Sequence, residues 1–136
     1  MSDYSDALQE AIYDTLTDAP ISGVQFVRDH PVTEPAGSDF PFIHIGESDY
    51  QPDDTDDGGG DGGLREFITL HVWSRYRGQE EVKTISSTIY DRFHGVTLTV
   101  TGRASVISWV RSRIIQDDPD GLTRHGIITL EIDHRS

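Results

Sequence analysis

The sequence predicts an α+β protein, with an antiparallel sheet of about four to five strands and two helices packed on one face. The prediction depends on residues 65–95, where the hydrophobic period changes. The first part has apolar residues at every second position, as on one face of a strand: Ile68, Leu70 and Val72. The second part has the spacing of one helical face: Val82, Ile85, Ile89 and Phe93. The turn between them falls at Arg77-Gly78, and Gly95 marks the end of the helix.

The residues before position 65 predict one helix and up to two strands. Residues 2–18 carry an apolar stripe at helical spacing: Tyr4, Ala7, Leu8, Ala11, Ile12 and Leu16. Pro20 ends this helix because proline lacks the backbone N–H that a helix interior needs. Residues 23–29 favour a short strand or an extended segment. Residues 40–46 favour a strand that lies at an edge or begins after Pro41.

The last third of the chain predicts a long antiparallel hairpin, which follows a short strand over residues 96–101. The first arm, residues 104–116, alternates between two faces: Val106, Val110 and Ile114 on one, and Ile107, Trp109 and Ile115 on the other. Residues 117–121 read Asp-Asp-Pro-Asp-Gly, a strong turn signal. The second arm, residues 122–133, places three apolar side chains on one face: Ile128, Leu130 and Ile132.

Residues 48–63 form an acidic and glycine-rich segment with six aspartates, five glycines and no aliphatic residue. Because like charges repel and glycine loses much entropy on ordering, we expect a flexible loop between two strands. A calcium loop starting at Asp53 needs a bidentate glutamate at its twelfth position, where Leu64 stands. Five aspartates of this segment are candidates for a role in function: Asp53, Asp54, Asp56, Asp57 and Asp61.

The composition predicts one soluble domain over residues 1–136. The chain has 24 acidic and 11 basic residues and a formal net charge of −13, so it repels nucleic-acid phosphate. It has no cysteine, which excludes disulfides, thiolate catalysis and cysteine zinc sites. No apolar run reaches the roughly 18 residues of a membrane helix, and the N-terminus is polar and acidic, unlike a secretion signal.

Motifs for catalysis are missing from the sequence. It has no GxSxG nucleophile elbow, no HExxH zinc helix and no GxxxxGK[ST] phosphate loop. His44, His71 and His125 all fall in predicted strands, and three converging histidines can hold a metal with an open position. A small metal-dependent enzyme therefore remains an alternative, and so does a calcium-binding module built on the acidic segment.

The sheet face away from the helices carries a mixed set of side chains on the central strand: Phe67, Thr69, His71 and Trp73. Such a mixture fits either covering loops or a second subunit, because exposed aromatic patches often mark interfaces. The end of this strand is typical either of an aromatic–arginine contact patch or of a solvated strand end. The candidate subunit-contact residues are Phe67, His71, Trp73, Arg75, Tyr76 and Arg77.

Several stretches together resemble the tail-completion proteins of long-tailed bacteriophages and gene transfer agents, also called tail-terminator or tail-to-head joining proteins. The main ones are LHVWSRYRGQEEVKTISSTIYDRFHG, LTVTG and DPDGLTRHGIITLEI. Upstream, DAPISGV and FPFIHIGE follow the same pattern, so the resemblance covers nearly the whole chain. The most specific parts are residues 70–75, 90–95 and 118–126.

The resemblance implies a small α+β subunit that forms a ring, typically a hexamer, at the head-proximal end of the tail tube. Such a ring ends tail assembly and joins the tail to the head, and its partners are the tail-tube protein and the head–tail connector proteins. The resemblance implies no catalytic residue, no cofactor and no membrane contact. It places the protein in the virion after synthesis in the host cytoplasm. DNA would pass through without specific binding, and we expect part of the acidic segment to face the channel or the adjoining ring.

Overall fold

A computed structural model of the chain describes residues 5–21, 23–53, 63–101 and 105–135. These residues form two α-helices, a short 3-10 turn at Gly37–Asp39 and one six-stranded sheet. In chain order the elements are α1 (Ser5–Thr17), β1 (Val27–Arg28), β2 (Phe42–Asp53), β3 (Gly63–Ser74), α2 (Glu80–Phe93), β4 (Val96–Thr97), β5 (Ser105–Asp117) and β6 (Arg124–Arg135). The order across the sheet is β1-β2-β3-β6-β5-β4.

The α+β class is confirmed, but the expected antiparallel sheet of four to five strands is wrong. The sheet has six strands and is mixed, because β1 runs parallel to β2 while the other pairs are antiparallel. Residues 29–41 connect β1 to β2, and a connection of this length is what two parallel neighbours need. The outermost strands, β1 and β4, have two residues each, too few to produce an alternating pattern.

Both helices pack on one face of the sheet, as predicted. We call this the inner face and the opposite one the outer face. The helices bury the expected stripes: Leu8, Ile12 and Leu16 from α1, and Val82, Ile85, Ile89 and Phe93 from α2. The inner face meets them with aliphatic side chains from four strands: Ile43, Ile45, Ile68, Leu70, Val72, Val106, Val110, Ile128, Leu130 and Ile132. No helix among the described residues is long and apolar enough to cross a membrane.

Helix α2 ends where the sequence predicts. Gly95 has a φ of 69°, which favours glycine, and the N–H of His94 donates to the carbonyl of Tyr90 at 2.9 Å. Arg92 in the last turn reaches the end of α1, where its Nη1 donates to the carbonyl oxygens of Thr15 at 3.1 Å and Leu16 at 3.4 Å. The guanidinium thus satisfies terminal carbonyls of α1 and fixes the two helices to each other.

Strand β2 begins after Pro41, as predicted, but it continues much further than residue 46. It runs from Phe42 to Asp53 and pairs with β3 until Asp53 faces Gly63. The expected loop over residues 48–63 is therefore wrong at both ends, because continuing the ladder satisfies backbone hydrogen bonds that a loop would leave to water. Asp54, Asp56, Asp57 and Asp61 lie outside the described residues.

The predicted hairpin is confirmed, with one error of register. The pairing of β5 with β6 shifts between Val110 and Ser112, so Arg111 is an extra residue in a bulge. The alternation therefore reverses beyond Arg111. Ile114, expected to share the face of Val110, is 48% exposed, and Ile115 packs against the core instead. The expected strand over residues 96–101 is also shorter, with only Val96–Thr97 paired.

Candidate functional site: the outer sheet face

Successive side chains of the central strand β3 point alternately to the inner face and to the outer face of the sheet. Ile68, Leu70 and Val72 point inward and are at most 2% exposed. Phe67 and Trp73 point outward and are only partly buried, as is His71 between them. The outer face is therefore neither a second core nor an ordinary solvated surface, as the sequence predicts.

Trp73 and three histidines form a stacked cluster on this face, which we call the His–Trp cluster: His44, His71, Trp73 and His125. The rings of Trp73 and His125 stack with centroids 3.7 Å apart and planes 10° apart. His71 stacks on His44 at 5.6 Å and on His125 at 5.0 Å. The strand register causes this arrangement, since His44 faces His71 and Trp73 faces His125 across neighbouring strands.

A chain of hydrogen bonds runs through the His–Trp cluster. His71 Nε2 lies 3.1 Å from Glu47 Oε1, and His71 Nδ1 lies 2.8 Å from His125 Nε2. The bond from His71 lowers the pKa of Glu47. Burial, followed by the neighbouring His71, lowers the pKa of His125 to about 4. His125 is therefore neutral at pH 7 and can donate its Nε2–H to His71, which in turn donates to Glu47.

The three predicted metal-ligand candidates do come together, but as a ring stack. Among the described residues, no group of three or more histidine, aspartate or glutamate side chains is arranged to hold a metal ion. Burial, followed by the neighbouring His71, also lowers the pKa of His44. The stacked rings add apolar contact area to the face. The geometry favours a contact surface over a catalytic centre.

The other candidate contact residues lie where β3 leaves the sheet. The guanidinium of Arg75 lies 4.3 Å from the ring centroid of Phe40, and its Nε donates to Thr123 Oγ1 at 3.3 Å. Tyr76 is 49% exposed, and Arg77 is also exposed. Arg75 thus joins the outer face through a cation–π contact, whereas Tyr76 and Arg77 project from its end.

An apolar pocket of about 240 Å³ lies between this end of the sheet and the connection from β1 to β2. Its apolar lining includes Pro31, Val32 and Phe40 from the connection, with Phe42 of β2 and Trp73 of β3. Phe42 also stacks on Phe26 with ring centroids 5.0 Å apart, which restricts the orientation of its ring. Apart from Trp73, these residues are not among the predicted contact residues, although the motif Phe-Pro-Phe at the start of β2 is a signal for an aromatic cluster.

A charged cluster occupies the opposite end of the outer face. Arg111 Nε donates to Glu131 Oε1 at 2.9 Å, and this bond lowers the pKa of Glu131. Arg65 Nε lies 3.6 Å from Glu131 and 3.5 Å from Asp133. Burial, followed by a hydrogen bond with Glu131, raises the pKa of Asp133. This cluster is not predictable from local sequence patterns, because it depends on the bulge at Arg111 and on the pairing of three strands.

One ionisable pair is buried on the inner face. Glu66 and His134 are each 1% exposed, with His134 Nε2 3.8 Å from Glu66 Oε1. Within the part of the chain that the structure describes, neither of these two atoms has a hydrogen-bond partner. Burying polar groups without hydrogen bonds costs free energy, so this pair lowers the stability of the folded subunit.

The fold and its outer face define a class of protein: a small α+β subunit with two helices over one sheet face and an aromatic, charged and partly exposed opposite face. Residues 10–134 match the family described as tail completion protein gp17, and the chain belongs to this family. It is therefore a structural protein of a phage-type tail and a component of the virion. The resemblance seen in the sequence is confirmed.

Solved structures support the fold. A chain from the virion of a native gene transfer agent particle is similar with a TM-score of 0.79 and 17% identity, over 100% of both chains. A second solved chain is similar with a TM-score of 0.69 and 13% identity, over 96% of this chain and 95% of its own. At these identities the likeness concerns the fold alone. No curated protein matches the sequence.

Proposed function

We propose that this chain is the subunit of a hexameric ring at the head-proximal end of a phage-type tail. The ring ends tail assembly, joins the tail to the head and lets DNA pass, and the subunit performs no catalysis. The family match over residues 10–134 carries this proposal. The tail-tube protein on one side and the head–tail connector proteins on the other are the partners of the ring.

The outer face supplies the contact surface that such a subunit needs. Interfaces are enriched in aromatic residues and arginine, and Trp73, Phe67 and Arg75 bring both types to one face. The stack of Trp73 on His125 holds the indole in one orientation, so little conformational entropy is lost when a neighbour covers it. We therefore propose that Phe67, His71, Trp73, Arg75, Tyr76 and Arg77 contact other subunits of the tail.

The charge of the chain favours passage of DNA over binding. A net charge of −13 repels the duplex, whereas a basic lumen would hold it in a salt-dependent way. We propose that the acidic segment, including Asp53 at the end of β2, faces the channel or the adjoining ring. Replacing Asp54, Asp56, Asp57 and Asp61 by lysine should slow DNA release from particles at low salt. Release at the same rate as from unmodified particles would contradict a channel position.

Particles made without this chain test the proposal directly. We expect unjoined heads and tails of uneven length in negative-stain micrographs, because nothing caps the tube. Supplying the gene in trans should restore joined particles of uniform length. Joined particles of uniform tail length in the absence of the chain would refute the proposed function.

A further inference from the structure

Buried polar side chains at the upper end of the sheet, where β3 ends and β6 begins, have hydrogen-bond partners. Ser74 is 0% exposed and Thr123 is 4% exposed. Ser74 Oγ donates to Glu81 Oε1 at 2.7 Å, and Thr123 Oγ1 donates to Asp120 Oδ2 at 2.7 Å. The backbone N–H of Thr123 also donates to Asp120, at 2.8 Å. The hydroxyl groups of this end are therefore satisfied, as buried polar groups usually are in native proteins.

The opposite end of the sheet lacks such partners. Residues 64–67 of β3 pair with residues 131–134 of β6, and we call these two stretches the lower end. Within the described residues, every buried side-chain nitrogen or oxygen without a hydrogen-bond partner lies there: Arg65 Nε, Glu66 Oε1, His134 Nδ1 and His134 Nε2. The unsatisfied atoms are thus concentrated at one end of one strand pair.

The ion pairs of the lower end do not replace the missing hydrogen bonds. Glu66 Oε1 lies 3.8 Å from His134 Nε2, which is longer than a normal hydrogen bond. The distances from Arg65 Nε to Asp133 and Glu131, 3.5 Å and 3.6 Å, are also longer. Burying unsatisfied polar atoms costs free energy, and separating the strand ends lets water bond to all of them. Because few residue pairs must separate at a strand end, local opening takes less free energy there than in the middle of the sheet.

We propose that the lower end is a conformational switch, which opens locally in the free subunit and is held open in the assembled tail. In the open free subunit Arg65, Glu66 and His134 bond to water, and in the tail they bond to polar groups of the neighbouring proteins. Assembly shifts the equilibrium because only the open state makes these additional contacts. Segments that rearrange on binding are drawn from the least stable parts of a fold, and the lower end has the unsatisfied atoms that make it such a part.

The position of the lower end supports this coupling. Strand β3 begins at Gly63, which pairs with Asp53 of β2 at the base of the acidic segment. Glu66 pairs with Tyr50 in the same two strands. Movement of β3 at the lower end therefore displaces the base of the segment that we propose to face the channel or the adjoining ring. The coupling to assembly rests on that proposed function, whereas the opening of the free subunit does not.

Hydrogen exchange of the free subunit tests the opening. Amides of the lower end should exchange about tenfold or more faster than those of residues 70–73 and 125–128, which pair with each other in the same two strands. The double variant Glu66→Leu, His134→Leu removes three of the four unsatisfied atoms. It should slow exchange at the lower end about tenfold and raise the melting temperature by about 3 °C or more.

The matched control is Glu10→Leu, His30→Leu, because both of these side chains are exposed, and it should leave exchange at the lower end unchanged. Equal exchange at the lower end and in residues 70–73 and 125–128 of the natural chain would overturn the switch. Exchange at the lower end that is as fast in the Glu66→Leu, His134→Leu variant as in the natural chain would overturn it as well, because ordinary fraying of strand ends would then explain the opening.

The joining of heads to tails tests the coupling to assembly. Heads and tails from particles made without this chain are mixed with the purified subunit, and joined particles are counted in micrographs. The natural chain and the exposed control should restore joining. The Glu66→Leu, His134→Leu variant should give about fivefold fewer joined particles, although it is the more stable protein, because it lacks the polar atoms that bond in the tail. Normal joining with this variant would overturn the switch and leave the proposed function intact. Failure of the natural chain to restore joining would instead contradict the proposed function.

Discussion

His125 connects the stability of the free subunit to pH through a single ring. Its pKa is lowered from 6.5 to about 4 in the folded chain by burial and by His71. As pH falls from about 6.5 to about 4, the unfolded chain binds this proton more readily than the folded chain, so the free energy of unfolding decreases. Above pH 6.5 this ring is neutral in both the folded and the unfolded chain, so it causes no loss of stability there.

The variant His125→Phe should weaken that pH dependence. Phenylalanine retains an aromatic ring against Trp73 but does not titrate. Between pH 7 and pH 5 the melting temperature of the natural chain should fall by about 3 °C more than that of the variant, a modest figure because the ring is only partly buried. Scanning calorimetry at both pH values measures the difference. Equal slopes for the two proteins would contradict a lowered pKa at His125.

Gly46 leaves the room that His71 occupies. A Cβ at this position would lie 2.8 Å from His71 Cδ2 and 3.0 Å from the carbonyl oxygen of Thr69. Gly46→Ala should therefore displace the imidazole and destabilise the fold by about 1–3 kcal/mol, measured by urea unfolding. Gly37→Ala is the matched control, because a Cβ there meets nothing within 4 Å, and it should change stability by less than about 0.5 kcal/mol.

At the level of the elements, the bulge in β5 reverses which of Ile114 and Ile115 faces the core, compared with the plain alternation of the sequence. Ile115→Ser should cost about 1–2 kcal/mol, because Ile115 packs against the core beyond Arg111. Ile114→Ser should cost less than about 0.5 kcal/mol, because that side chain is 48% exposed. Chemical unfolding of the two variants decides the register. A larger loss for Ile114→Ser would place the bulge elsewhere.

The elements that the sequence predicts correctly are those with a long periodic pattern. Helix α2 and strand β6 follow from their own periodicity, because each has enough turns or alternations to define a buried face. The two-residue strands β1 and β4 and the long polar part of β2 do not, since their pairing depends on neighbours distant in the chain. The bulge at Arg111 is equally hidden, because its cause lies in the pairing with β6.

The candidate contact face is predictable to a similar extent. Alternation along β3 places Phe67, His71 and Trp73 on one face, and the structure agrees. The stacking of Trp73 on His125 requires the register of β3 with β6, which no local pattern supplies. The ion pair of Arg111 with Glu131 requires both that register and the bulge. Local periodicity thus identifies the face, and only tertiary pairing identifies its contacts.

At the scale of the whole molecule, the two faces of the sheet have different roles. The helices and the inner face stabilise the fold, and we propose that the outer face contacts neighbouring subunits. Most of the buried aliphatic side chains lie between the helices and the inner face. The outer face therefore contributes less to the stability of the free subunit, and substitutions there should affect assembly more than folding. Phe67 and Tyr13 provide a matched pair, since both are aromatic and incompletely buried, on the outer face and on α1 respectively.

Phe67→Ser and Tyr13→Ser should both leave the free subunit folded, with melting temperatures lowered by about 2–6 °C, because each removes a ring that is only partly covered. In particles, Phe67→Ser should sharply reduce the fraction of tails joined to heads, because a truncated aromatic residue at the centre of an interface commonly costs about 2 kcal/mol or more of binding free energy. Tyr13→Ser should join tails at the normal level. Counting joined particles in micrographs of both variants makes the comparison. An equal loss of joined particles in the two variants would contradict a role of the outer face in tail assembly. Normal joining with Phe67→Ser would contradict it as well.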